Sequence, residues 1–162
     1  MRLLVVADTH LRGGIGPLPR ELHAAIGDCD AVVHAGDVTS AAALEELRAM
    51  ARVYAVLGNN DLELAGELPE LLEVELEGIR VAVVHDAGPA GSRAGRLARR
   101  FPAAHLVVFE HSHVPLLEEG PTGQLLVNPG SPTRRRSRSP RGFARLELGD
   151  GRVLRRHLQV LH

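Results

Sequence analysis

The apolar residues fall into short runs separated by longer amphipathic stretches, and the two patterns alternate along the first third of the chain. Arg2–Ala7, Ala31–Ala35 and Arg52–Leu57 are apolar or β-rich, and each stops at a polar motif, so they predict strands. The stretches around Leu18–Ile26 and Ala41–Met50 carry helical periodicity, which gives a β-α-β-α-β order. Pro17 and Pro19 stand near the start of the first helix, where a missing N–H costs least, and Gly27 is expected just past its end. Thr39 or Ser40 can cap the second helix.

Beyond Asp61 the pattern changes. Leu71–Leu76 and Ile79–Val84 are joined by Glu77-Gly78, a connection with hairpin length and turn chemistry. A helix is expected at about Ser92–Phe101, then an apolar strand His105–Phe109. Leu116–Glu119, Leu125–Asn128, Phe143–Leu148 and Val153–Leu161 read as strands, with Gly149-Asp150-Gly151 as a tight turn between the last two. Helices interleaved with strands, followed by hairpins, predict an α/β arrangement of two packed mixed sheets with helices outside. No internal repeat or linker is evident, and the one low-complexity stretch is Arg134–Arg141, with five Arg among Ser and Pro.

A length of 162 residues fits one domain that can bury a core without disulfide or zinc staples. The single Cys29 excludes an internal disulfide. The opening Leu3-Leu4-Val5-Val6-Ala7 is too short for a signal segment or a membrane span, so a cytoplasmic protein with no membrane partner is expected. A formal net charge of −1 argues against a general nucleic-acid surface without excluding one. Every Lys or Arg position is Arg, read as a compositional bias.

Asp8-Thr9-His10, Gly36-Asp37, Gly58-Asn59-Asn60-Asp61, His85 and His111-Ser112-His113 each lie at or just after an expected strand end, where α/β sites form. A hydrolytic metal pair needs two divalent ions about 3.5–4 Å apart, a bridging carboxylate, and terminal imidazole and carboxamide ligands. Asp8, Asp37, Asn59 and four His offer oxygens and borderline nitrogens with no thiolate, which favours manganese, iron, zinc or nickel over a soft metal. Each piece alone is a common turn motif; the ordered set carries the signal.

These segments, together with Asn128-Pro129-Gly130-Ser131, resemble the calcineurin-like metallophosphoesterase superfamily, in particular its small single-domain bacterial and archaeal phosphodiesterase branch, over nearly the whole chain. The resemblance implies a four-layer α/β/β/α sandwich of two mixed β-sheets flanked by helices, with residues 1–162 as a single calcineurin-like phosphoesterase domain. Carried over by position, it implies that Asp8, His10, Asp37 and His113 hold one divalent ion. Asp37, Asn59, His85 and His111 would hold the other, with Asp37 as the bridge. Manganese is the first expectation for both, with iron, zinc or nickel as alternatives.

The expected activity is hydrolysis of a small phosphate ester, a phosphodiester before a phosphomonoester, by in-line attack of a hydroxide bridging the two metals. Asn59, Asn60, Asp61 and His111 are the candidate catalytic residues. Asp61 is expected to orient a metal-bound imidazole, with a turn-capping Asp as the alternative. Asn60 stands where some superfamily phosphatases carry a His to protonate the leaving group, and an amide cannot do so, which leaves that acid unassigned. Many relatives have Gly where this chain has Asp86 and Glu110, and both carboxylates are expected to face solvent. His34 is expected to hydrogen-bond beneath the site, and the turn at Asn128–Ser131 to help shape it. His23, His105, His157 and His162 carry no role.

Two other functions stay open. One is a non-catalytic metal-binding scaffold, because the fold is also similar to the small retromer subunit; intact ligand positions argue against it. The other is a nuclease-type phosphodiesterase, suggested by the arginine run and opposed by the near absence of stacking aromatics. Homo-oligomerisation is also left open. Arg134, Arg135, Arg136 and Arg138 follow the Asn128–Ser131 turn closely enough to overhang the metal centre and meet an anionic substrate.

Overall fold

Strand β1 (Arg2–Val6) has two apolar faces, and the fold is built from that fact. Leu3 and Val5 point to one side and Leu4 and Val6 to the other, all four buried, as a strand covered on both faces requires. The computed structural model describes residues 1–136 and 138–161; Ser137, inside the arginine run, and His162 lie outside the described residues.

One sheet pairs β1 in parallel with β2 (Ala31–His34) and β2 with β3 (Arg52–Ala55), while β9 (Arg141–Gly149) and β10 (Arg152–Leu161) add antiparallel to the far edge of β1. Its order is β10-β9-β1-β2-β3. The second sheet contains β4 (Leu71–Leu76), β5 (Ile79–Asp86), β6 (Leu106–Glu110), β7 (Leu116–Glu119) and β8 (Leu125–Asn128) in the order β4-β5-β6-β8-β7. Parallel pairs run through β5, β6 and β8, with antiparallel strands at both edges.

Alternation along the strands builds three apolar layers. Leu3 and Val5, Ala31 and Val33, Ile79, Val81 and Val83, Leu106 and Val108, and Leu125 and Val127 meet between the sheets. The opposite face of the first sheet packs on α1 (Arg20–Asp28) and α2 (Ala41–Met50) through Leu22, Ala25, Ile26, Leu44 and Leu47. The opposite face of the second packs on α3 (Arg93–Arg100) through Leu97, Val107, Phe109 and Leu126. This is the expected four-layer sandwich of two mixed sheets flanked by helices.

Helix α2 has the expected bounds, and Ser40 caps it, its Oγ accepting from Ala43 N at 3.4 Å. Helix α1 departs from expectation, because Gly27 lies inside it and Cys29 ends it. Gly27 is exposed, and a helical glycine costs only about 1 kcal/mol against alanine. The burial of Leu22, Ala25 and Ile26 one turn before it is worth more, at roughly 1.5–3 kcal/mol for a large aliphatic side chain. A 3₁₀ turn at Leu62–Leu64, absent from the sequence reading, follows the Asn59-Asn60-Asp61 loop. Among the described residues no helix is long and apolar enough to cross a membrane.

At the end of β2, His34 is fully buried with Nε2 3.0 Å from Thr9 Oγ1, beneath the candidate site as expected. Burial disfavours its charged form and pushes its pKa down to about 3. The unfolded chain, with a His pKa of about 6.5, takes up a proton that the folded chain refuses. The contribution is therefore fully present above that value and is lost, by about 1 kcal/mol per pH unit, as pH falls toward 3. Urea unfolding in metal-free buffer from pH 7 to pH 5 should show this extra slope, and His34→Gln should remove it. Equal pH slopes in the two proteins would contradict a neutral buried His34.

Candidate metal centre

The parallel order of β1, β2 and β3, and of β5 and β6, brings the carboxyl ends of all five strands to one end of the sandwich. The loops there are stitched edge to edge. Asp8 N donates to Gly36 O at 2.9 Å, His10 N to Asp37 O at 2.9 Å and Leu11 N to Val38 O at 3.0 Å. A β-carbon on Gly58 would lie 2.1 Å from Asp37 Oδ1, and one on Gly36 2.7 Å from Gly58 N and from His85 Nδ1. Only glycine lets these loops approach so closely.

Asp61 is buried and is the hub of the loops rather than an imidazole acceptor. Its carboxylate accepts from Asp37 N at 2.8 Å, Thr39 N at 2.6 Å and Gly58 N at 2.7 Å. The expectation that it orients a His is corrected: three backbone amides engage it, and the turn-capping alternative is the nearer description.

Five of the seven candidate ligands, Asp8, His10, Asp37, His111 and His113, have φ between +46° and +75°. Non-glycine residues rarely adopt this left-handed region, and such strain persists only where surrounding contacts impose it.

The side chains converge in two sets. In the first, His113 Nε2 lies 3.1 Å from Asp8 Oδ2, and His10 Nε2 lies 3.7 Å from Asp8 Oδ1 and 3.8 Å from Asp37 Oδ2. In the second, His85 Nε2 lies 3.9 Å from Asp37 Oδ2, and Asn59 Oδ1 lies 3.0 Å from both His85 Nε2 and His111 Nδ1. Donor atoms around an ion at about 2.0–2.2 Å must sit roughly 3–3.5 Å apart, close to these separations. The structure thus brings all seven candidate ligands together, with Asp37 facing both sets.

The donor chemistry fits divalent ions. Asp8 is wholly buried, yet neither of its oxygens has a hydrogen-bond partner. His85 Nδ1 is 2.7 Å from the carbonyl of Ala35 and must donate to it, so a neutral His85 turns the Nε2 lone pair toward the oxygen of Asn59. In that tautomer Nε2 has its lone pair available to a cation, and the carbonyl behind His85 orients the ring as a metal-bound imidazole requires.

Glu110, expected in solvent, is buried; its Oε2 accepts from His113 N at 2.9 Å. The signal was available, since alternation sets Glu110 on the same face as the buried Leu106 and Val108. Burial, then the neighbouring Asp8 carboxyl and its charge, push the Glu110 pKa up to about 9. Burial also opposes ionisation of Asp8, but the His113 and Glu110 side chains beside it outweigh that and hold the carboxyl well below the usual range. Of the pair, Glu110 carries the proton at neutral pH. Asp86 faces solvent as expected and accepts from Gly88 N at 2.7 Å. Burial lowers the His10 pKa, and the Arg134 charge and that of His113 lower it further, against the pull of Asp8 and Asp37.

Asn60 grips Asp37 twice, through its backbone N to Oδ1 at 2.8 Å and its amide Nδ2 to Oδ2 at 2.6 Å. The Asn128–Ser131 turn lies beneath the site, with Ser131 Oγ donating to Asp8 O at 2.7 Å. Thr133 Oγ1, which no sequence pattern singled out, donates to Thr9 O at 2.9 Å. The site opens into a cavity of about 260 Å³ between His10, Asp37, Asn59, Asn60, His111 and His113. Another cavity, of about 230 Å³ beside Cys29 and Arg145, brings together none of the candidate ligands.

Residues 1–151 match the model of the calcineurin-like phosphoesterase superfamily domain. A probable metallophosphoesterase of Methanothermobacter thermautotrophicus is 33% identical over 142 residues, covering 86% of this chain and 82% of that protein. Among solved structures, a single mutant of Vps29 from Entamoeba histolytica superposes with a TM-score of 0.78 at 20% identity, covering 100% of both chains. A novel archaeal phosphodiesterase superposes with a TM-score of 0.72 at 20% identity, covering 98% of this chain and 100% of that one. At this identity the two likenesses concern the fold.

Because Asp61 satisfies one buried and two half-buried amides, Asp61→Ala should cost about 1–3 kcal/mol. At about 2–4 °C per kcal/mol for a chain of this size, the metal-free protein should melt several degrees lower. An unchanged melting temperature would remove Asp61 from its place as the hub.

Proposed function

The chain belongs to the calcineurin-like phosphoesterase superfamily, and from that premise we propose that it hydrolyses phosphate esters with two divalent ions, phosphodiesters in preference to phosphomonoesters. The observation that carries the reading is Asp37 Oδ2, 3.8 Å from His10 Nε2 in one ligand set and 3.9 Å from His85 Nε2 in the other. A carboxylate so situated can bridge two ions. Asp8, His10, Asp37 and His113 would hold one, and Asp37, Asn59, His85 and His111 the other, with manganese first and iron, zinc or nickel as alternatives. Bound there, the ions would activate a water as nucleophile and neutralise the phosphate oxygens.

The protein's own groups do the rest. Asn60 and the Asp61 hub fix the orientation of Asp37, so the acceptor geometry exists before any ligand arrives. Ser131 and Thr133 hold the backbone of Asp8 and Thr9 from below. His111 and Asn60 face the cavity, where the ester would lie. Asn60, an amide, cannot deliver a proton to the leaving oxygen, and that acid is left unassigned. A scaffold role in the manner of the small retromer subunit has less support, because every candidate ligand position is filled by a competent donor.

Elemental analysis after dialysis against excess manganese should find two ions per chain. Asp37→Ala should impair both sites and His85→Ala mainly one. Retention of two ions by Asp37→Ala would sink the bridging assignment. Activity on an aryl phosphodiester should vanish with chelator and return with manganese.

Without a proton donor, an aryloxide departs unaided while an alkoxide does not, so aryl esters should be cleaved much faster than alkyl esters. Asn60→His should help alkyl esters more than aryl esters. Similar single-turnover rates for both ester types in the wild type would reveal another acid and overturn this part of the reading.

A further inference from the structure

The arginine run emerges from the Asn128–Ser131 turn at the mouth of the candidate metal centre. Arg134, Arg135 and Arg136 are exposed and border the same cavity of about 260 Å³ as His10 and His111. The segment is anchored at two points. Arg134 N donates to Ser131 Oγ at 3.0 Å, and Arg136 Nη1 donates to the carbonyl of His111 at 2.9 Å. Among the described residues, none of the three side chains pairs with a carboxylate. Their charges are therefore left to solvent or to a ligand.

A cavity of this size lies below the roughly 300–1,000 Å³ of pockets that enclose drug-sized ligands. A substrate that exceeds it must extend across the rim. Two hollows receive what crosses. The one beside His85 carries the carboxylates of Glu70 and Asp86 against a single guanidinium, Arg100. The one beside His111 carries Arg93 and Arg136, and its only carboxylate, Asp86, already accepts from Gly88 N. Arg136 borders both this hollow and the central cavity. Arg93 lies 5.0 Å over the ring of Phe109, and its Nε is buried without a hydrogen-bond partner.

A substrate with a second negative group is thus drawn one way, across His111. Among the described residues, no Phe, Tyr or Trp lines the central cavity or this hollow, so recognition rests on charge and not on base stacking. Arginine suits the task, because its planar fork meets phosphate or carboxylate oxygens at two points.

We propose that Arg134, Arg135 and Arg136, with Arg93 behind them, form an anion rim that selects small phosphate esters bearing a second phosphate or carboxylate group, held between Arg136 and Arg93. This assignment rests on the phosphate-ester reading of the metal centre and names the substrate class of that site.

Titration calorimetry of the manganese-loaded protein with ethylphosphonate, 3-phosphonopropionate and ethylenebisphosphonate tests it without turnover. In the wild type the better of the two doubly anionic probes should bind at least about tenfold more tightly than ethylphosphonate, and added salt should narrow that margin. A lead for ethylenebisphosphonate assigns the second group to phosphate, and a lead for 3-phosphonopropionate assigns it to carboxylate. The triple variant Arg134→Gln, Arg135→Gln, Arg136→Gln should lose most of the margin. Arg93→Gln, which leaves the run intact, should lose part of it.

Equal margins in the wild type and both variants overturn the rim. So does a single-stranded oligonucleotide that displaces ethylenebisphosphonate at lower concentration than the small probes do. Hydrolysis of bis(p-nitrophenyl) phosphate by the same wild-type preparation is read in parallel. Absent turnover with the binding margin intact overturns the hydrolase reading and leaves the rim standing.

Discussion

The carboxylate of Asp8 is the constraint on which the metal centre depends. It is wholly buried, it is held in its charged form, and neither of its oxygens has a hydrogen-bond partner. An uncompensated buried charge costs several kcal/mol, more than a single loop hydrogen bond returns. The nearby protein groups reduce that cost only in part: His113 Nε2 stands 3.1 Å away, and Glu110 gives up its own ionisation beside it. A divalent cation is the compensation that such an arrangement lacks, and His10, His85 and His113 present ring nitrogens to Asp8 and Asp37 where it would sit.

The same electrostatic demand accounts for where the chain is strained. The left-handed backbone at Asp8, His10, Asp37, His111 and His113 costs of order 1 kcal/mol or more at each residue, and no packing of apolar side chains calls for it. What imposes it is the stitching below: the amide-to-carbonyl ties between the first two loops, and Asp61 gathering three amides into one carboxylate. Gly36 and Gly58 allow the loops to close to distances at which any β-carbon would collide. The apolar layers supply the rigidity against which this strain is held, since β1 and β2 are buried on both faces.

Periodicity made the layers legible before any coordinates. The bounds of α2, β4, β7 and β8 agree with the sequence reading because each is framed by turn or cap residues, such as Ser40 before α2 and Glu77-Gly78 after β4. The end of α1 did not agree, since an exposed Gly27 is cheap to keep helical when its neighbours are buried. The seven candidate ligands were legible as a set because each lies at or just after a strand end. Their supports were not: Asp61 looked like an acceptor that orients a His, Glu110 like a solvent-facing substitution, and Thr133 like nothing in particular. Those roles depend on which backbone amide or buried carboxylate lies opposite in space, and that information is spread over more than 120 positions in the case of Thr133 and Thr9.

Asn60 draws these threads together. A His at this position could keep the backbone N–H bond to Asp37 Oδ1, but it would give up the side-chain amide that holds Oδ2 at 2.6 Å. With Asn the carboxylate facing both ligand sets is gripped on both oxygens, so its orientation is decided by the loop and not by the ions it would hold. The same choice leaves the cavity wall at residue 60 with an amide that does not titrate near neutral pH. Among the described residues of the cavity, the fixed cationic side chains are Arg134, Arg135 and Arg136, all on the arginine side. On the proposed reading, such a centre trades proton delivery at residue 60 for a fixed bridging carboxylate and a permanent anion-attracting rim. That trade suits substrates whose leaving groups need no help and whose charge does the work of binding.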